Sequence, residues 1–175
     1  MDAAGREAEL RGAPSFGIKV RIHSGQAIVS NVGSARRYNH TAVGETVNIA
    51  ARLEGLSGAY GSSLLVGPTM EEAVGGQSLL REIDAVAVKG RAEPLTVYEP
   101  VTPLDEATAR EADMVVRYAE ALGHYRARRF EQAADIWLSL GADDGPAGVM
   151  AQRSRAYQTA PPPQEWDGVF VISGK

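Results

Sequence analysis

The feature that most constrains this chain is an alternation of apolar and polar side chains near its N-terminus. Phe16, Ile18, Val20 and Ile22 are each followed by a glycine or a basic residue. This period of two predicts a β-strand with one buried face. A Ser-Gly turn leads to a second apolar run at residues 27–32, so we predict an antiparallel hairpin. An opening hairpin, in place of a crossover, argues against a uniformly wound parallel sheet.

The segment at residues 46–60 has the periodicity of an amphipathic helix. Ile49, Leu53, Leu56 and Tyr60 fall at i, i+4, i+7 and i+11, which places them in one buried stripe. A second stripe lies about 100° around the helix axis and contains polar residues.

Shorter elements complete the first part of the chain. They are a strand at residues 64–67, a brief helix opened by Pro68, and strands at 78–88 and 95–99 joined by a basic loop at 89–91. The resulting order is strand, strand, helix, strand, helix, strand, strand. That order predicts an α+β fold with an antiparallel-rich sheet.

The second part of the chain, residues 105–158, has helical patterns only. We place a boundary at residues 101–103 because Pro103 removes a backbone donor and disfavours helix in the residue before it. The predicted divisions are residues 1–101, a small helical extension at 102–158, and a Pro-rich tail at 159–175. The spacing of small and aromatic residues around Tyr125 and Trp137 resembles a tetratricopeptide helix pair. With at most one and a half repeats, we expect a helical cap docked on the first domain.

Composition excludes several classes of protein. The chain has 175 residues, 18 Lys and Arg against 22 Asp and Glu, a net charge of −4, and no cysteine. Disulfides, thiolate zinc sites and thiol nucleophiles are therefore excluded. No apolar run approaches the roughly 18 residues of a membrane span, and no basic block suits nucleic acid. We expect a cytoplasmic protein with no membrane or nucleic-acid contact from this chain.

A candidate ligand site lies on and before the predicted helix. Asn48 and Arg52 are four residues apart, so their side chains share one helical face. We predict that Thr41 lies in the loop entering the helix, after the basic residues Arg36 and Arg37. An amide, a guanidinium and a hydroxyl beside a basic loop suit a polyphosphate ligand. Spacing alone favours the alternative, a solvated helix flank with no ligand.

Longer motifs carry a family resemblance. The stretch YNHTAVGETVNIAARLEGLSGAYGSSLLV resembles the class III nucleotidyl cyclases, as do IKVRIHSGQAIVSNVGS before it and IDAVAVKGRAEPLTVYE after it. The resemblance covers about residues 16–100 and implies part of a ferredoxin-like cyclase catalytic domain. The implied reaction converts ATP to cyclic AMP and pyrophosphate in intracellular signalling.

The resemblance also implies roles for individual residues. Asn48 would orient the ribose, and Arg52 would stabilise charge at the α-phosphate. Thr41 falls at the position that reads the purine edge, where threonine resembles the bacterial adenylyl subgroup and favours ATP. Lys89 would contact the terminal phosphates, and Arg36 would be a second phosphate contact.

The chain departs from the family at the metal site. Class III cyclases use two Mg²⁺ or Mn²⁺ ions held by two aspartates from the first half of the domain. Between Glu9 and Glu45 this sequence has no carboxylate, so the ligands are missing. We therefore predict the C-terminal part of a catalytic domain, inactive alone and from a truncated gene product. Its expected partner is a second cyclase protomer, in a homodimer or as a complementing partner. The alternative is a non-catalytic interaction module derived from a cyclase.

Overall fold

The computed structural model describes residues 20–34, 37–87 and 93–171. Strands and helices alternate in the first part, and helices dominate the second. In chain order the elements are β1 (Val20–Ile22), β2 (Ile28–Ser34), β3 (Arg37–Val43), α1 (Glu45–Tyr60), β4 (Leu64–Val66), α2 (Pro68–Val74), β5 (Ser78–Ala87), β6 (Leu95–Pro103), α3 (Ala109–Arg126), α4 (Phe130–Ser139), α5 (Gly145–Thr159) and β7 (Phe170–Val171).

The strands form two separate sheets. Five of them form a mixed sheet in the order β1-β4-β6-β5-β7, and β2 pairs only with β3. In the larger sheet β4/β6 and β5/β6 are antiparallel, whereas β1/β4 and β5/β7 are parallel. The predicted α+β class with an antiparallel-rich sheet is confirmed.

The predicted hairpin between the first two strands is wrong. β1 runs parallel to β4, with Val20 opposite Leu64. β2 is antiparallel to β3, with Ile28 opposite Val43. β3 occupies a polar stretch that carries no apolar alternation. Such a stretch can still form a strand, because the hydrogen bonds between strands join backbone N–H and C=O groups. The remainder of the first predicted strand, residues 16–19, lies outside the described residues.

Helix α1 confirms the predicted stripe. Ile49, Leu53, Leu56 and Tyr60 are all at most 4% exposed. The helix begins at Glu45, one residue before the predicted start, and its cap is Gly61, which has a left-handed conformation with φ of 65°. Glycine adopts this conformation without steric cost, so it suits a helix C-terminus.

The helices of the second part have local start signals. Thr108 and Glu111 form a reciprocal capping box at the start of α3. The Asp144 side chain accepts a hydrogen bond from the Ala147 backbone N–H at the start of α5. Between α3 and α4, Arg128 has a φ of 62°, a left-handed conformation that glycine adopts more readily than arginine.

One hydrophobic core joins the two parts of the chain. It combines side chains of α1 and the five-stranded sheet with aromatic residues of α3 and α4. Tyr118 and Trp137 have ring centroids 5.6 Å apart, and those of Tyr125 and Trp137 are 5.8 Å apart. β6 runs through the predicted boundary as far as Pro103. Among the helices of the described residues, none contains an apolar stretch of membrane-spanning length.

Candidate functional site

The exposed face of α1 carries two of the predicted site residues. Asn48 and Arg52 are exposed one turn apart, next to the buried stripe. Neither side chain makes a hydrogen bond or ion pair with another described residue. The core-facing side chains hold the helix in place, so these two polar groups have no structural task within the part of the chain described.

Thr41 lies in a strand, not in the predicted loop. It is exposed on β3, opposite Ser30 of β2. β3 ends at Val43, and α1 begins two residues later. The two remaining predicted residues, Arg36 and Lys89, lie outside the described residues.

A cleft lies beside the first turn of α1. Its volume is about 400 Å³. Its walls come from the turn after β1, the starts of α1 and α2, and the beginning of β6. The lining residues are His23, Ser24, Gly25, Glu45, Thr46, Ile49, Pro68, Thr69, Glu93, Pro94 and Leu95. Of the predicted site residues that the structure describes, Thr41, Asn48 and Arg52, none lines this cleft.

Two threonines hold the turn that forms one wall of this cleft. Thr46 of α1 donates a hydrogen bond to the Gln26 carbonyl oxygen at 2.9 Å. Thr69 of α2 donates to the Ser24 carbonyl oxygen at 2.8 Å. A side chain on Gly25 would place its Cβ 2.5 Å from the Thr46 hydroxyl oxygen. The turn is therefore fixed against both helices, and no feature of the sequence indicates these contacts.

The described residues do not fit a metal ion. Over residues 20–34, 37–87 and 93–171, no group of three or more His, Asp or Glu side chains could hold one. A divalent cation such as Mg²⁺ needs oxygen ligands, above all carboxylates. No step of a reaction is therefore derived through a metal ion bound by the described residues.

A buried cluster of polar groups lies at the far end of α1. Asp84 of β5 is fully buried, and its carboxylate accepts hydrogen bonds from Tyr60 and Arg153, each at 2.5 Å. Burial raises the pKa of the Asp84 carboxyl above its ordinary value, against the opposing effect of Arg153. Burial also raises the pKa of the Tyr60 hydroxyl, and the charge of Asp84 adds to that effect.

A second buried cluster centres on Arg81 of β5. Its guanidinium donates to Glu99 of β6 and, at 2.5 Å, to Asp144 at the start of α5. It also lies 4.7 Å from the centroid of the Tyr118 ring. Sequence reasoning missed both clusters. The available signal was three charged residues, Arg81, Glu82 and Asp84, within an otherwise apolar strand, since charged residues are rarely buried unless paired.

Two proteins with similar sequences are both described as adenylate cyclases. The chain is 33% identical over 112 residues to Adenylate cyclase 1 of Rhizobium meliloti (strain 1021), an alignment that covers 64% of this chain and 17% of that protein. It is 36% identical over 94 residues to the adenylate cyclase of Anabaena cylindrica, covering 50% and 18% of the two chains. No protein-family model matches.

A solved structure aligns with part of the chain. The adenylyl cyclase CyaB from P. aeruginosa is 23% identical, with a TM-score of 0.44, over 59% of this chain and 52% of that one. The sequence alignments show similarity to adenylate cyclases. The chain spans less than a fifth of the length of the two curated relatives described above.

Proposed function

We propose that this chain contributes the transition-state side of a class III adenylate cyclase site, where ATP is converted to cyclic AMP and pyrophosphate. The observation that carries the proposal is the pair Asn48 and Arg52. Both side chains are exposed on one face of α1, and neither has a polar partner among the described residues. The alignment with adenylate cyclases supports the same reaction.

Each residue has a distinct task in this proposal. Asn48 orients the ribose, and Arg52 stabilises the negative charge that develops while the 3′-hydroxyl attacks the α-phosphate and pyrophosphate leaves. Thr41 accepts a hydrogen bond from the exocyclic amine of adenine, which favours ATP. Lys89 and Arg36 contact the phosphates as cations.

The rest of the site belongs to a second protomer. In this proposal a complementing cyclase protomer supplies the carboxylates that hold Mg²⁺ or Mn²⁺. The sequence supports this division, because residues 10–44 contain no Asp or Glu. The chain alone is accordingly expected to make no cyclic AMP.

Complementation tests the proposal directly. A related full-length cyclase whose own asparagine and arginine are replaced by alanine is mixed with this chain, ATP and Mn²⁺, and cyclic AMP is measured. We expect activity from the mixture and from neither protein alone. Arg52→Ala should lower that activity by about 10²–10³-fold, the usual cost of removing a group that stabilises transition-state charge.

A matched arginine serves as the control. Arg155 is exposed on α5, outside the proposed site, so Arg155→Ala should leave the complemented activity within about twofold. A folded chain that binds the partner protomer without restoring activity would contradict the proposal and favour the interaction module. Equal losses for the two variants would also contradict it.

A further inference from the structure

A single buried carboxylate joins α1, the sheet and the helical second part of the chain. The oxygen Oδ2 of Asp84 accepts hydrogen bonds from the Tyr60 hydroxyl and from Arg153 Nη1, each at 2.5 Å. Oδ1 accepts the Ala85 backbone N–H at 2.8 Å. Tyr60 is the last residue of α1, and Arg153 lies in the middle of α5. Asp84 therefore ties the end of α1 to α5.

Aromatic rings hold the guanidinium in the same position. Arg153 lies 3.6 Å from the centroid of the Phe170 ring and 5.3 Å from that of the Tyr60 ring. Its side chain is only 11% exposed. A cation over an aromatic face is attracted more strongly when it is desolvated. The guanidinium therefore contacts Asp84 of β5, Phe170 of β7 and Tyr60 of α1 at the same time.

The backbones of α1 and α5 also meet at this end. A Cβ on Gly145, the first residue of α5, would lie 2.5 Å from the carbonyl oxygen of Gly61, directly after α1. Real Cβ atoms do not approach a backbone atom so closely. The backbone directly after α1 therefore lies close against the first residue of α5.

The same helix carries the proposed site pair toward its other end. Arg52 precedes Tyr60 by eight residues, about 12 Å along the axis at 1.5 Å per residue. A rotation of α1 about its axis would turn Asn48 and Arg52 by the same angle, since a hydrogen-bonded helix moves as one body.

We propose that Arg153 is a positioning residue, which acts through Asp84 and Tyr60 to fix the rotation of α1 and thus the direction of Asn48 and Arg52. This inference rests on the proposed function for its catalytic consequence. It makes the helical second part of the chain a component of the nucleotide site.

A pair of tyrosine variants isolates this contact. Tyr60→Phe removes only the hydroxyl that bonds Asp84 and leaves the Asp84–Arg153 ion pair intact. Tyr118→Phe is the matched control, because its buried hydroxyl donates at 3.2 Å to the Ile83 carbonyl oxygen of the same strand, from α3. Both variants lose one buried hydrogen bond to β5, but only Tyr60→Phe removes a hydrogen bond between α1 and β5.

Amide hydrogen exchange on the full chain gives a readout independent of catalysis. Tyr60→Phe should accelerate exchange in residues 45–60 at least tenfold beyond any change in β5 and β6. Tyr118→Phe should not produce this selective change. If the two variants give the same exchange in residues 45–60, Arg153 does not position α1 and the inference fails.

The complemented cyclase gives the second readout. Tyr60→Phe should lower kcat at least tenfold with the KM for ATP within twofold, whereas Tyr118→Phe should change neither. Arg153→Lys should retain more activity than Arg153→Met, because lysine keeps a charge beside Asp84. Wild-type kcat in Tyr60→Phe would overturn the inference. If the wild-type mixture makes no cyclic AMP, the proposed function fails, and hydrogen exchange alone decides whether Arg153 positions α1.

Discussion

Replacing Arg81 by methionine would remove the centre of the second buried cluster. Its side chain is 5% exposed, and its partners Glu99 and Asp144 are 16% and 12% exposed. Methionine keeps much of the aliphatic volume and loses every polar contact. The two carboxylates would then remain in a largely desolvated site without their shared cation.

The expected cost follows from this burial. Removing one partner of a buried ion pair usually lowers the free energy of unfolding by about 3–5 kcal/mol, because an uncompensated charge remains inside. Arg81 serves two carboxylates, so we expect Arg81→Met to lie at the upper end of that range. Since small domains unfold with about 5–15 kcal/mol, the loss is a large share of the total stability.

Arg126→Met provides a control with the same substitution. Arg126 contacts Glu82 at 2.5 Å, the distance that also separates Arg81 from Asp144, but its side chain is 35% exposed and that of Glu82 is 32% exposed. Exposed pairs contribute about 0–1 kcal/mol, because water and salt screen them. Urea unfolding of the wild type and both variants, fitted by linear extrapolation, measures the difference.

Two results would refute this reasoning. Losses of equal size in the two variants would show that burial does not set the cost of breaking these pairs. A loss of only about 0–1 kcal/mol for Arg81→Met, the range of an exposed ion pair, would also refute it, because a stranded buried charge should cost more.

Three further predictions concern α1, α3 and the aromatic core. Leu53→Ala should lower the free energy of unfolding by about 2–5 kcal/mol in urea titrations, because Leu53 is fully buried. Asn48→Ala should change the free energy of unfolding by about 0.5 kcal/mol at most, but it should lower the cyclic AMP made by the complemented mixture. The side chain and backbone N–H of Thr108 donate hydrogen bonds to the Glu111 carboxylate and lower its pKa. The contribution of the capping box to the free energy of unfolding should therefore be lost as the pH falls through that pKa. Thr108→Ala should raise the Glu111 pKa, and an NMR titration that shows no change would contradict the capping box. Trp137→Ala should cost about 3–5 kcal/mol, measured by urea unfolding, because a fully buried indole is replaced by a cavity.

Helices were predictable because their signals are local. The stripe from Ile49 to Tyr60 determined α1 to within one residue, and the same face is buried in the structure. The start of α5 carries signals of the same local kind, the Asp144 side chain that caps it and an early proline. The pair Asn48 and Arg52 followed from helical spacing, and the structure places both side chains on the exposed face.

Strand pairing was not predictable in the same way. A strand's partner depends on distant residues, and β1 pairs in parallel with β4 about forty residues later instead of with its neighbour. β3 carries no apolar alternation, so the sequence predicts a loop at Thr41. The contacts of Asp84 with Tyr60 and Arg153 join residues 24 and 69 positions apart, and no local pattern in the sequence indicates such partners.

The shared core has a consequence for how this chain emerges from the ribosome. Ile83 and Val97 in the sheet belong to the same core as Trp137 and Met150, which are translated much later. At bacterial to eukaryotic elongation rates of about 5–20 residues per second, the nascent sheet waits several seconds for the helices that cover it. During that interval its apolar face is a target for chaperones and for aggregation. Slower translation between residues 103 and 150 would lengthen that interval in proportion.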